Sequence, residues 1–168
     1  MIKIKIQKCG NNVILPNYQT KNSAGLDLIV NNFKTIFYPT HVTDGGVAES
    51  QDNIPEIDSI ELHPGCRVLI GTGLKMEIPK NYELQIRSRS GSSIKSGIIV
   101  LNAPGTIDAD YRGEVGVIIY NTSCLPYKIN IGDRIAQGIF NKFEIAEWSE
   151  EELSETERGD GGFGSTGK

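Results

Sequence analysis

"LKMEIPKNYELQIR", residues 74–87, decides the fold class. Leu74, Met76 and Ile78 take every second position, with Lys75 and Glu77 between them. Pro79 ends the run, and Tyr82, Leu84 and Ile86 then resume the same alternation. A period of two sends successive side chains to opposite faces, so each run reads as a half-buried strand, not as a turn of helix. The pattern recurs outward: Ile2 to Ile6, then Val115, Val117 and Ile119, then Ile129 and Ile131. Turn chemistry separates these runs at His63–Gly65, Pro79–Asn81, Asn102–Gly105 and Ile131–Asp133. Short strands at regular spacing, with no long helical period, predict an all-β sandwich or barrel. Short helical turns are expected near 93–97 and at 149–153, where Ser149 and Glu152 have capping-box spacing.

The chain has 168 residues, enough for one domain with a real core. Its net charge of −4 gives no bulk attraction to nucleic acid or to a membrane surface, and neither is expected as a partner. A phosphorylated ligand would need a few placed arginines or a metal. Cys9, Cys66 and Cys124 are odd in number and far apart, matching neither a disulfide framework nor a zinc site. They read as reduced, partly buried thiols. The opening "MIKIKIQKCG" is too short and charged for a signal peptide, and no apolar run approaches the ~20 residues of a membrane span. A cytoplasmic location is expected. Two stretches break the strand pattern. Residues 44–58 hold five acidic residues and no basic one, and read as an exposed loop or hairpin inserted in a domain of residues 1–143. Residues 144–157 hold seven glutamates and lead into a glycine-rich end, so 144–168 reads as a connector and flexible arm with Trp148 as its apolar anchor.

Chemistry concentrates in a few segments. In "NAPGTIDADYRGE" (102–114), Asp108 and Asp110 are two apart and would point the same way in an extended strand. Either they are solvated turn carboxylates or one of them activates water, with Tyr111 and Arg112 placing a flat ring and a cation beside it. "IRSRSGSSIKSG" (86–97) offers Arg89, Ser90 and Gly91 at the mouth of a helical turn, a natural anion nest. "GDRIAQG" (132–138) adds Gln137. In "SAGLDL" (23–28) Asp27 lies within an apolar run, where a carboxylate needs a partner or a hydrated metal. The final "RGDGGFGSTGK" (158–168) has five glycines behind Arg158. Gly162 to Lys168 has the G-x-x-x-x-G-K spacing of a P-loop, without the Ser or Thr and the helix that a P-loop requires next.

Together and in this order, "SAGLDL", "SRSG", "GTIDADYRGE", "GDRIAQ" and "RGDGGFGSTG" resemble the five motifs of the trimeric deoxyuridine triphosphatases (dUTPases). The resemblance covers most of the chain and fails mainly at 44–58. It implies an all-β, jelly-roll-like subunit and a homotrimer with three shared active sites. The arm of one subunit would close a site formed between the other two. It implies hydrolysis of dUTP to dUMP and pyrophosphate by water attack on the α-phosphorus, assisted by Mg2+, which removes dUTP and supplies dUMP for thymidylate synthesis. Asp108 matches the carboxylate that orients and deprotonates the water. Tyr111 matches the ring beneath the deoxyribose, and Asn102 with the backbone of the 98–105 hairpin would read uracil. Arg89, Ser90, Gly91 and Gln137 match phosphate contacts. In the arm, Arg158, Gly164 and Ser165 would clasp the outer phosphates while Phe163 stacks on the base. Asp27 matches a residue acting through the phosphate network and the metal's hydration shell. The resemblance gives the metal no direct protein ligand, and His41 and His63 are too isolated to offer one.

Two departures stand out. Ser88 replaces the second motif's usual proline, and Ser92–Ser93 replaces its apolar-small pair; both are expected to alter turn stiffness only. The acidic insertion is the other departure. A dCTP deaminase shares the fold and would need an activating carboxylate near the base, for which Glu114 is the nearest glutamate. A nucleotide-dependent binding module is the more distant alternative, favoured only by the insertion.

Overall fold

The two runs of residues 74–87 belong to different sheets. In the computed structural model, which describes residues 2–10, 12–38, 50–52, 54–162 and 165, Leu74, Met76 and Ile78 are buried, as are Leu84 and Ile86. The turn between them is closed by the Tyr82 N–H on the Pro79 carbonyl at 3.2 Å and reversed at Asn81, whose φ is +64°. It carries the chain from one sheet to the next without a hairpin. Two opposed apolar faces need such an arch, because each sheet must cover the other.

The first sheet contains β1 (Lys5–Lys8), β3 (Asn32–Phe37), β4 (Ser50–Asp52), β6 (Arg67–Glu77), β8 (Ile98–Val100) and β10 (Glu114–Asn121). Its order is β4-β3-β6-β10-β8, with β1 also paired to the far end of β6. The second sheet contains β2 (Leu26–Ile29), β7 (Tyr82–Arg87), β9 (Gly105–Ile107) and β12 (Arg134–Lys142), in the order β2-β12-β7-β9. A third, two-stranded sheet pairs β5 (Ser59–Leu62) with β11 (Tyr127–Asn130). All the described pairings are antiparallel. Their apolar faces meet in one core, where Ile70 and Val117 from the first sheet join Leu28 and Leu84 from the second and Ile129 from the third. The all-β expectation therefore holds. The chosen turns hold as well: Gly65 and Gly132 adopt φ of +74° and +89°, conformations that glycine reaches without strain.

Several local expectations need correction. The helix α1 spans Ser90–Ser96 and ends on Gly97 at φ +64°, so it starts three residues earlier than the 93–97 turn. Gly97 serves as a left-handed C-cap, its N–H on the Ser93 carbonyl. No helix forms at 149–153; Ser149 bonds Glu151 instead of completing a capping box with Glu152. Trp148 is 93% exposed, so it is not an apolar anchor among the described residues. Strand β1 begins at Lys5, not Ile2, and Ile131 falls in the turn beyond β11. Within the acidic stretch, Ser50–Asp52 pair with β3 as an edge strand, the hairpin alternative, with Thr35 donating to Asp52 at 2.8 Å. Residues 44–49 and 53 lie outside the described part. Of the three cysteines only Cys66 is buried, and burial raises its thiol above the ordinary range.

The longest strand is shaped by glycines that the alternation did not single out. β6 is buried continuously from Ile70 to Leu74, with Gly71 and Gly73 inside that run. Gly73 has φ +71°, and a Cβ there would lie 2.6 Å from Asn31 Oδ1 and 2.7 Å from Val13 Cγ2. Gly73→Ala is therefore expected to lower stability by at least about 1–3 kcal/mol from backbone strain alone. Gly91→Ala is the control, since a Cβ there meets nothing within 4 Å. Urea unfolding midpoints of both variants test this; an unshifted Gly73→Ala midpoint would contradict it.

Candidate active site

Between β8 and β9 the chain crosses from the first sheet to the second. β8 pairs with β10, and β9 pairs with β7, so the expected 98–105 hairpin is a bridge between sheets and not a ladder. The Ala103 N–H on the Val100 carbonyl closes its turn at 3.3 Å. Beside this bridge opens a cleft of ≈ 400 Å³, to which Asn102, Asp108 and Tyr111 all contribute. Asp108 and Tyr111 of the third motif and Asn102 just before it are thus brought together. Asp108 is exposed, and among the described residues its carboxylate has no hydrogen-bond partner; the Asn102 amide is similarly free.

Two details differ from expectation. Residues 109–110 are a turn, with the Tyr111 N–H on the Asp108 carbonyl, so strand alternation does not apply and Asp110 is not part of the cleft wall. Arg112 does not accompany Asp108 either. Its Nη1 donates to the Ala109 and Tyr111 carbonyls at 2.8 and 3.0 Å, capping the turn. The cation lining the cleft is Lys34, from β3.

Glu114, which also lines the cleft, stands in contrast to Asp108. Its Oε1 accepts from Gly73 N at 2.7 Å and Asn32 Nδ2 at 3.0 Å, and its Oε2 from Lys34 Nζ at 2.6 Å. Burial raises its pKa, but the bonds from Lys34, Asn32 and the Gly73 N–H outweigh burial and hold it below the usual glutamate value. Gly71 has no room for a Cβ, which would overlap the Glu114 carboxylate and stand 2.7 Å from Asn32 Nδ2. Tyr111 folds back so that its hydroxyl donates to the Glu114 carbonyl at 3.1 Å. Gly113 makes this possible, since a Cβ there would sit 2.5 Å from Tyr111 Cζ.

A second cluster lies elsewhere. Asp27, on β2, accepts from Arg89 Nε at 3.1 Å and Arg134 Nη1 at 3.2 Å. Arg89 also donates to the Arg134 carbonyl at 2.9 Å. The buried carboxylate thus has the partner it needed. Arg134, which the sequence did not mark, supplies half of it. Gln137 sits opposite Asp27 on one side and Arg87 on the other. Gly25 packs so close that a Cβ would meet Gln137 Oε1 at 2.8 Å. Ser90 and Gly91 open α1, whose first N–H groups have no intrahelical acceptor. Ser88 accepts from the Val100 N–H at 2.8 Å, a bond that a proline could not accept through a side chain.

The two clusters stand at opposite ends of β7. Ile107 pairs with Leu84, which places Asp108 level with Glu83, whereas Arg89 extends two residues past the strand's other end. Six residues of extended chain separate these levels by about 20 Å at ~3.3 Å per residue. Among the described residues the arm supplies neither cluster. Arg158 Nε donates to the Gly161 carbonyl at 2.7 Å, and Ser165 N to the Gly162 carbonyl at 3.0 Å. Phe163 and Gly164 lie outside the described residues. Among the described residues no helix is long and apolar enough to cross a membrane.

The dUTPase family model matches residues 56–167. The chain is 43% identical to the deoxyuridine 5'-triphosphate nucleotidohydrolase of Wolinella succinogenes over 99% of this chain and 95% of that one. It is 45% identical to the protein of the same name from Nautilia profundicola, over 99% and 100%. Its fold matches the Staphylococcus bacteriophage 80alpha dUTPase solved with dUpNHpp, with a TM-score of 0.77, 24% identity and full coverage of both chains. A variant dUTPase from an S. aureus phage, phi11, solved with a structural Mg(II) ion, matches with a TM-score of 0.68 and 21% identity, over 90% of this chain and 98% of that one.

The depressed Glu114 value has a measurable consequence. A carboxylate whose folded pKa lies below its unfolded value of about 4.3 stabilises the fold fully above that pH and loses the contribution as pH falls through the folded value. Wild-type stability should therefore drop below about pH 4.3 more steeply than that of Glu114→Gln, which has no charge to lose. Thermal midpoints from pH 3 to 7 test this, and parallel curves would refute it.

Proposed function

The chain belongs to the dUTPase family, and from that premise we propose that it hydrolyses dUTP to dUMP and pyrophosphate in a cleft completed by a second copy of itself. The observation that carries this is the unpartnered Asp108 carboxylate sharing one cleft with Tyr111 and Asn102. An acid with no internal donors is free to take a proton. Asp108 orients a water molecule and accepts its proton as the oxygen attacks the α-phosphorus; the bond to the α,β-bridging oxygen breaks, and pyrophosphate leaves. The Tyr111 ring lies under the sugar and leaves no space for a 2'-hydroxyl. Uracil offers an acceptor, a donor and an acceptor along its edge, which the free Asn102 amide and the 98–105 backbone can meet. Cytosine presents the wrong pattern, and sites built on hydrogen bonds reject such mismatches by up to about 10⁴–10⁵.

Arg89, held by Asp27, with Ser90, Gly91 and Gln137, receives the phosphates. Gly91 is not demanded by packing within the chain, since a Cβ there meets only open space; a glycine in such a place suits close approach by an anion. The chemistry of these donors also fits Mg2+ arriving on the triphosphate. Both Asp27 oxygens are engaged by arginines. When bound, the cation would neutralise phosphate charge.

By backbone level Asp108 and Arg89 lie about 20 Å apart along β7, an awkward span for a triphosphate whose α-phosphorus sits at the water and whose outer phosphates sit at the arginine. Pairing the Asp108 cleft of one subunit with the Arg89 cluster of another removes the conflict. A closed trimer gives three such sites, and residues 144–168 form the arm that closes each from the third subunit, through Arg158, Phe163, Gly164 and Ser165. The absence of a packing partner for Ile145, Trp148 and Leu153, each more than four-fifths exposed, supports an arm that docks on a neighbour. The enzyme so described works in the cytoplasm.

Pyrophosphate release from dUTP, dCTP, dTTP and UTP tests the activity, with ammonia monitored from dCTP. Only dUTP should be turned over rapidly, and Asp108→Asn should lower its kcat by about 10²–10⁴. Near-normal turnover by that variant would remove Asp108 from its role. The shared site is tested by mixing. Asp108→Asn and Arg89→Gln should each be inactive alone yet recover activity when co-refolded, because some mixed sites then contain both intact clusters. No recovery from folded mixed oligomers would place each site within one chain.

A further inference from the structure

We propose that Glu114 is a positioning residue that sets the discrimination between deoxyribose and ribose nucleotides, by fixing the carbonyl on which Tyr111 hangs. The proposal rests on the placement of Tyr111 beneath the sugar. Tyr111 is 44% exposed, on the loop between β9 and β10, and one described hydrogen bond holds its hydroxyl, to the Glu114 carbonyl. A ring so exposed keeps a single rotamer only if its tether is fixed.

Ladder pairing supports the tether on one side only. The register of β10 on β6 runs from Glu114↔Lys75 directly to Gly116↔Gly71, so the ladder is interrupted where the tether begins. Side chains take its place. Gly73 N donates to the Glu114 carboxylate, and the Thr72 hydroxyl donates to the Val115 carbonyl at 2.8 Å. Asn32 and Lys34, from the strand on the other side of β6, complete the set. A β-bulge re-aims the chain and is often placed beside an active site. Here the re-aimed group is the Glu114 carbonyl, and its direction is set by its own side chain. Gly113 removes the last obstacle by leaving the ring space to fold back.

The test is kcat/KM for dUTP and for UTP in the full-length trimer, for wild type, Glu114→Ala, Glu114→Gln, Tyr111→Phe and Glu114→Gln/Tyr111→Phe. Glu114→Ala should lower the dUTP-to-UTP ratio about tenfold, the order that one lost hydrogen bond allows, and chiefly by improving use of UTP. Glu114→Gln retains an oxygen for Gly73 and Asn32 and should restore part of the ratio. Tyr111→Phe should lower the ratio too, and the double variant no further, because both act through one bond. Should Glu114→Ala not fold, the cycle of Glu114→Gln and Tyr111→Phe decides alone. An unchanged ratio in folded variants, an equal fall for both substrates, or additive effects in the double variant would each overturn the proposal. A wild-type enzyme indifferent to the 2'-hydroxyl would instead refute the sugar role of Tyr111, a failure visible without any substitution.

Discussion

A carboxylate enclosed by three strands must be met by donors or give up its charge. Glu114 is met by Gly73, Asn32 and Lys34, so a single side chain from β10 ties together β3, β6 and β10. Much of the cleft follows from that contact. Gly71 must be glycine to leave room for the carboxylate, and Gly73 to turn its N–H toward it. The ladder breaks at that point, and the chain N-terminal to β10 is free to form the loop bearing Asp108 and Tyr111. Two carboxylates consequently share one cleft in opposite conditions. Glu114 is saturated and serves structure, whereas Asp108 has no described donor and can take a proton. Environment, not residue type, assigns the roles, as is general for paired acids in active sites.

Strand β7 imposes the second constraint. Its pairing partners fix the Asp108 cleft near one end and the Asp27–Arg89–Arg134 cluster beyond the other, and a rigid sheet cannot fold to bring them together. The rigidity is useful. Each cluster is held by paired strands, so on the proposed reading the entropy of ordering would fall on the arm, which has no strand or helix among its described residues. On the proposed reading, preorganised halves and a closing arm would divide the labour between binding and closure.

The fold class was legible in residues 74–87 because alternation and turn residues report directly on burial. Their partition between two sheets was not, because period two is the same in a hairpin and in an arch. The triad of Asn102, Asp108 and Tyr111 was legible as a motif, and the cleft confirms that they lie together. Lys34 and Arg134 were not legible, since their significance comes from cross-strand neighbours 80 and 107 residues away in sequence. A signal did exist for the Glu114 nook. "GTG" at 71–73 places two glycines inside an otherwise apolar strand, a pattern that marks a bulge or close approach. The failures at 149–153 and Trp148 share a cause. Capping spacing and an aromatic side chain matter only where a surface exists to receive the helix or the ring, and this subunit alone offers none there.

The same geometry bears on the deaminase alternative. Deamination of a cytosine requires a carboxylate able to shuttle a proton to the departing amino group, and Glu114 was the glutamate nearest the base. Three donors hold it charged, and protonating it would leave the Lys34 ammonium, 2.6 Å away, without its counter-charge. Its bonds to Gly73 and Asn32 also hold Oε1, and Oε2 is the oxygen bound by the ammonium. Among the described residues, the cleft carboxylate without a donor is Asp108. One base suffices to activate water against a phosphorus atom, because the leaving pyrophosphate carries its charge away on oxygens that arginine and a cation can already stabilise. On the proposed reading, the cleft offers one carboxylate, Asp108, to activate water and engages the other, Glu114, in holding β10.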